Sequence, residues 1–134
     1  MGRNFKNLDI YNLSYKLVLE IYKILNQYPD FEKHNITSQI RRASVSIPLN
    51  IAEGCAKSTD KQFFHYLTTA YGSSKEVEVL LNLSKDLKYI NQKQFNMLFD
   101  QLDELNSKLY LFTRQIESKI KDKKHYFYGK FKSW

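Results

Sequence analysis

Within the segment RRASVSIPLNIAEG, Arg41 to Gly54, two guanidinium groups, an amide and a carboxylate follow one another on a short run of chain. Arg41 and Arg42 could grip a phosphate or carboxylate with fork-like hydrogen bonds, and Asn50 and Glu53 could orient a ligand or accept a proton. Such chemistry needs partners that the rest of the chain does not supply. A helical ribonuclease requires an arginine and a histidine about a turn apart on one helix, and neither Arg41, Arg42 nor Arg114 has one. The histidines are His34, His65 and His125, none of them three residues after a glutamate, so the Glu-x-x-His pairs of a di-iron bundle are missing. Cys55 is the only cysteine, too few for a zinc site built from Cys and His, and there is no glycine-rich phosphate loop. No catalytic, metal-binding or cofactor-binding residue is assigned. The chain reads as a non-enzyme, and the Arg41–Gly54 segment as architecture.

The elements that would position this segment follow from composition and spacing. The 134 residues suffice for one domain with a real core, and four glycines and two prolines are too few for a turn-rich β fold. Ile10, Leu13, Leu17, Ile21, Ile24 and Tyr28 step by threes and fours and predict a first helix over about Asp9–Tyr28, ended by Pro29. A second helix starts at Asn35 as N-cap and carries Ile36, Ile40, Ala43, Ile47, Ile51 and Gly54. A third opens with the box Thr59-x-x-Gln62 and runs along Phe63, Leu67, Ala70, Ser74, Val77, Leu81 and Ser84, a heptad seam. A fourth opens at Asn91, with Gln94 three residues on, and continues through Phe95, Leu98, Leu102, Leu105, Leu109, Phe112 and Ile116. Four such segments with short connections predict an all-α, antiparallel up-down-up-down four-helix bundle over residues 1–120, followed by a tail over 121–134.

In this arrangement Pro48 kinks the second helix near Ser44–Ile47, because it removes an N–H and frees the carbonyl of Ser44, at a cost of about 3 kcal/mol in a straight helix. A hairpin with its apex near Ser58 and Thr59 sets Arg42 opposite Glu76, Ser46 opposite Gly72 and Asn50 opposite Thr68. Arg42 and Glu76 are expected to pair, half-buried, and to fix register more than to add stability. Small residues on both sides, among them Ala43, Ser44, Ser46, Ala70, Gly72, Ser73 and Ser74, would let the backbones approach. Additional apolar residues outside the seams (Tyr11, Tyr15, Val18, Tyr22 and Leu25 on the first helix; Val79, Leu80 and Leu83 on the third) call for a second burial partner, and predict a homo-oligomer.

These pieces in order, TSQIRRASVSIPLNIAEG, a Phe-x-x-x-Leu step, AYGSSKEVE and LKYI, closely resemble the bacterial four-helix-bundle proteins encoded in intervening sequences of 23S ribosomal RNA genes. The resemblance covers about Phe5 to Ile120. Arg41, Arg42, Pro48, Asn50, Glu53, Gly54, Gly72, Ser73 and Glu76 match the family pattern. A more distant branch contains the accessory variability proteins of diversity-generating retroelements. The resemblance implies a kinked bundle that assembles as a ring, typically a pentamer, without catalytic residues. For the retroelement branch it implies a basic ring that binds nucleic acid and a reverse transcriptase. For the intervening-sequence branch it implies association with RNA.

The charge lies mostly at the end of the chain. Residues 1–118 carry 15 Lys+Arg against 13 Asp+Glu, whereas residues 119–134 carry six lysines and one aspartate, together giving the net charge of +7. In IKDKKHYFYGKFKSW the lysines alternate with aromatic rings. Lysines neutralise phosphates and rings stack on unpaired bases, so Lys121, Lys123, Lys124, Tyr126, Tyr128, Lys130, Lys132 and Trp134 are candidate contacts for RNA or DNA. A strap packed on the bundle, or a solvated end, would use the same residues differently. The competing function is a protein-interaction scaffold, such as an accessory subunit for a reverse transcriptase. No run approaches the roughly 18 apolar residues of a membrane span, no signal peptide is read, and Lys6 argues against N-myristoylation. The expected location is therefore the cytoplasm, where a lone thiol stays reduced.

Overall fold

A computed structural model describes the backbone of residues 3–132 and the side chains of residues 3–123. The fold is four helices: α1 (Asp9–Leu25), α2 (Ile36–Cys55), α3 (Asp60–Asp86) and α4 (Gln92–Lys132), with single 3-10 turns at Phe5–Asn7 and Asp30–Glu32. No strand occurs among the described residues. Each helix packs on two others, α1 on α2 and α4, and α3 on α2 and α4, the α2–α3 hairpin being the most extensive interface.

The contacts run in opposite order along neighbouring helices. Ser46 meets Ser73, while Gly54, further along α2, lies against Phe63 and Tyr66, earlier on α3. Phe63 meets Phe112 edge-on, Tyr71 lies tilted against Tyr110, and Lys85 lies over Phe95.

The seams read from the sequence are the core. All seven predicted α3 residues are buried, as are Phe95, Leu98, Leu102, Leu105, Leu109 and Ile116 of α4, with Phe112 partly buried against them. Four buried serines are satisfied within their own helices. Ser14 donates to the Tyr11 carbonyl at 2.8 Å, Ser44 to Arg41 at 3.0 Å, Ser74 to Tyr71 at 2.6 Å and Ser84 to Leu80 at 2.7 Å. A hydroxyl bonded back to a carbonyl three or four residues earlier occupies little volume and leaves no buried donor unpaired.

Helix ends follow local chemistry. At α4, Asn91 Oδ1 accepts from the Gln94 N–H at 2.8 Å and Gln94 Oε1 accepts from the Asn91 N–H at 2.9 Å, a complete capping box. At α3 only half the box forms: Thr59 Oγ1 accepts from the Gln62 N–H, and the Thr59 hydroxyl donates to Gln62 Oε1. Asn35 stands at the N-cap of α2 but its side chain makes no cap bond. Helix α1 ends at Leu25, three residues before the expected Tyr28, and the turn that follows still carries Tyr28 into the core. Helix α3 ends in a Schellman motif, with Tyr89 N–H bonded to the Ser84 carbonyl and Lys88 N–H to Lys85. The motif needs a left-handed residue, and Lys88, at φ 64°, supplies it where glycine is usual.

Helix α2 is one continuous helix across the buried Pro48. Helix α4 continues through residues 121–132, so the basic segment set apart in the sequence extends a bundle helix.

Candidate nucleic-acid interface

The motif residues of α2 and α3 mostly serve helix packing. Ser46 Oγ lies 2.8 Å from Ser73 Oγ, and the Asn50 amide donates to the Ser46 carbonyl at 2.8 Å and to its hydroxyl at 2.9 Å. At Gly54 a Cβ would stand 2.9 Å from both Phe63 Cδ1 and Tyr66 Cβ, so α2 can approach α3 only without a side chain there. Gly72 is different, because a Cβ there would meet nothing within 4 Å. It is not needed for the close approach.

Arg42 and Glu76 do not meet. Both are exposed, and neither forms an ion pair among the described residues. Each precedes a buried seam residue, Ala43 or Val77, and so leaves its helix about 100° around from the seam. On that rim water solvates both charges, and an exposed pair is worth only about 0–1 kcal/mol against the entropy of holding two long side chains. Arg41 is half-buried and likewise unpaired among the described residues, and Glu53 is exposed with Lys57 Nζ 3.7 Å away. Arg41, Arg42, Asn50 and Tyr22 line a groove of about 380 Å³, with no histidine or carboxylate in its lining. It has the cations for an anion but no acid–base pair.

Adjoining it, Tyr15, Val18, Pro48 and Leu49 line an apolar groove of about 320 Å³ between α1 and α2. Of the additional apolar residues, Tyr15 (52%), Tyr22 and, on α3, Val79 (64%) and Leu83 are exposed, as is Leu49 (62%), whereas Tyr11 and Leu25 pack partly buried against the core. Leu80, expected among them, is buried instead.

The end of the bundle at the α2–α3 apex gathers charge from all parts of the chain. The Arg3 guanidinium pairs with Asp60 and lies 4.2 Å above the Phe63 ring, while its backbone N–H bonds to the Cys55 carbonyl at 3.1 Å. Lys123, on α4, reaches Asp60 from the other side at 3.3 Å. Cys55 is buried, and burial pushes its thiol up, opposed by the nearby Arg3 charge. Lys57 stands 5.2 Å from the centre of the Tyr66 ring, and His65 meets the same ring edge-on at 5.4 Å. No pattern in the sequence announces that Arg3 would reach Asp60, 57 positions away, because the first eight residues have no helical periodicity.

Of the candidate tail contacts, Lys121 and Lys123 are exposed, Lys121 lying 3.7 Å from Glu117. The side chains of Lys124, Tyr126, Tyr128, Lys130 and Lys132, and all of Trp134, lie outside the described residues. Among the described residues no three His, Cys, Asp or Glu side chains gather at metal-binding distance, and no helix is long and apolar enough to cross a membrane.

A crystal structure of a protein of unknown function from the S23 ribosomal protein family of Bacteroides thetaiotaomicron VPI-5482 has the same fold, with a TM-score of 0.72 at 23% identity, covering 78% of this chain and 97% of that one. No curated protein matches the sequence. The sequence pattern described as "23S rRNA-intervening sequence protein" matches residues 6–111, which takes in all of α1 to α3 and the first half of α4. The chain belongs to the 23S rRNA-intervening sequence protein family.

Proposed function

We propose that the protein is a non-enzymatic, self-associating four-helix bundle of the cytoplasm that binds structured RNA through the basic C-terminal part of α4. The observation that carries this reading is the excess of six lysines over one aspartate in residues 119–134, on a segment whose backbone extends the bundle helix to Lys132. Its described beginning presents Lys119, Lys121 and Lys123 to solvent. A row of lysines on a helix releases counterions when it meets a phosphate backbone, with little regard for sequence. The link of the family's name to 23S rRNA supports RNA as the partner. The test is binding of the purified chain to a structured RNA across a salt series. Affinity falling steeply and linearly in log–log form supports the reading, and absence of binding at low salt removes it.

Self-association rests on the outward apolar residues Tyr15, Leu49 and Val79, which a second copy would cover. Five copies is the number the family resemblance implies, and light scattering measures it directly. The same grooves favour a second reading, a scaffold for a protein partner such as a reverse transcriptase. A monomer in solution that gains a defined mass with that partner would support the scaffold over the ring.

A further inference from the structure

We propose that the surface beside the α2–α3 apex, formed by Lys57, Lys61, Gln62, His65 and Tyr66, is a subsite for an unpaired nucleotide of the RNA. This inference rests on the RNA-binding reading and names where, besides the α4 lysines, the contact is made. These five side chains line an open groove of about 470 Å³, within the roughly 300–1,000 Å³ of sites that hold small ligands.

The groove owes its shape to the apex. The connection between Cys55 and Asp60 is short, and Thr59 caps α3 through Gln62, so Lys57 comes back over the first turns of α3. Gly54 lets α2 press against Phe63 and the Cβ of Tyr66, which fixes the base of the Tyr66 side chain. The Tyr66 ring then has Lys57 at 5.2 Å and the His65 ring edge-on, 79° between planes. His65, Lys61 and Gln62 are exposed, and Tyr66 is half-buried.

Each group has a partner in a nucleotide, and Lys61 and Gln62 have capacity to spare, whereas Lys57 already lies 3.7 Å from Glu53. Lys61 forms no ion pair among the described residues. The acids around it are occupied, Asp60 by Arg3 and Lys123, and Glu53 by Lys57. Gln62 uses its oxygen on the Thr59 hydroxyl, which leaves its amide N–H groups free to donate to a base edge. The exposed His65 ring offers a stacking face, which suits any unstacked base and no paired one, while the half-buried Tyr66 ring, with Lys57 over it, packs edge-on against His65. The Lys123–Asp60 contact brings the start of the basic part of α4 to the first residue of α3, one position before Lys61, within reach of a strand that follows those lysines. Cations beside aromatic rings therefore select single-stranded or looped RNA, where lysines alone would accept any duplex.

The test compares a hairpin RNA carrying an unpaired loop with a fully paired duplex of equal length, using the full chain and a Lys61→Ala/His65→Ala variant. Both substituted side chains are exposed, so circular dichroism should show the fold intact. Tighter binding of the hairpin by the unaltered chain, and about a tenfold loss for the hairpin alone in the variant, is the expected result. Equal losses on both RNAs would reduce the groove to general charge and overturn the subsite. An unaffected variant, with the unaltered chain still binding, overturns it as well while leaving the α4 reading in place. Failure of the unaltered chain to bind either RNA at low salt overturns both.

Discussion

Ser46 and Ser73 join α2 to α3 through hydroxyl oxygens 2.8 Å apart, on the same rim of the hairpin from which Arg42 and Glu76 extend separately into water. The short pair, not the charged one, marks the register. Replacing both serines by alanine should cost about 0.5–1.5 kcal/mol beyond the sum of side effects, read as a coupling in a double-mutant cycle by urea unfolding. Glu76→Ala and Arg42→Ala should each stay within about 0.5 kcal/mol of the parent in the same assay. A loss of several kcal/mol for Glu76→Ala would mean that the pair forms and is buried.

The two motif glycines should respond in opposite directions. At Gly54 an added methyl collides with Phe63 and Tyr66, and Gly54→Ala should destabilise by about 1–3 kcal/mol despite the better helix propensity of alanine. At Gly72 the methyl meets nothing, and Gly72→Ala should stabilise by about 0.5–1 kcal/mol. Thermal denaturation of the two variants side by side decides the matter. Equal signs would contradict the packing described.

Lys88 carries left-handed strain that glycine would relieve. Lys88→Gly should raise stability by about 1 kcal/mol, since the cost to an L-residue of this conformation is about 1–2 kcal/mol and part is returned as unfolded-state entropy. An unchanged or lowered melting temperature would show that the Lys88 side chain supplies a compensating contact.

Stability should fall in alkali from the end of the bundle opposite the apex. Burial raises the Tyr28 phenol, and burial followed by the hydrogen bond to Glu32 raises that of Tyr89. A phenol raised in the folded state is neutral there when the unfolded chain already ionises. Its contribution is therefore complete below about pH 10, the ordinary tyrosine value, and is lost as pH climbs through the folded value. Urea midpoints measured from pH 8 to pH 11 should decline above pH 10, less so in Tyr89→Phe. The same variant leaves the buried Glu32 carboxylate without the donor 2.8 Å away and should lower the urea midpoint at neutral pH.

Much of the fold is legible in the chain because two seams keep a strict step of threes and fours. Phe63 to Ser84 and Phe95 to Ile116 declare by spacing alone which face is inward. Asn91 and Gln94 announce the start of α4 by residue type alone, and both halves of their box form. The expected Arg42–Glu76 contact failed for a geometric reason. A hairpin apex gives the height at which two residues face each other, but not the angle at which each leaves its helix. The charge cluster at the apex was illegible for another reason. Arg3, Asp60 and Lys123 meet only because the start of the chain, the start of α3 and a position within the long α4 come to the same place, and no local spacing encodes that. Cys55 is fully buried, and burial raises its thiol, neither of which its neighbours in the sequence announce.

The most direct test of the central claim is RNA affinity, measured by filter binding at several salt concentrations, for the full chain and for a full-length variant with Lys121, Lys124, Lys130 and Lys132 replaced by glutamine. Lys123 is left in place to keep its contact with Asp60. If the end of α4 is the binding element, the variant should bind at least tenfold more weakly at low salt, and the slope of log affinity against log salt should become shallower by about three, at roughly 0.7–0.9 per lost contact. An unchanged affinity and slope in a folded variant would contradict the account.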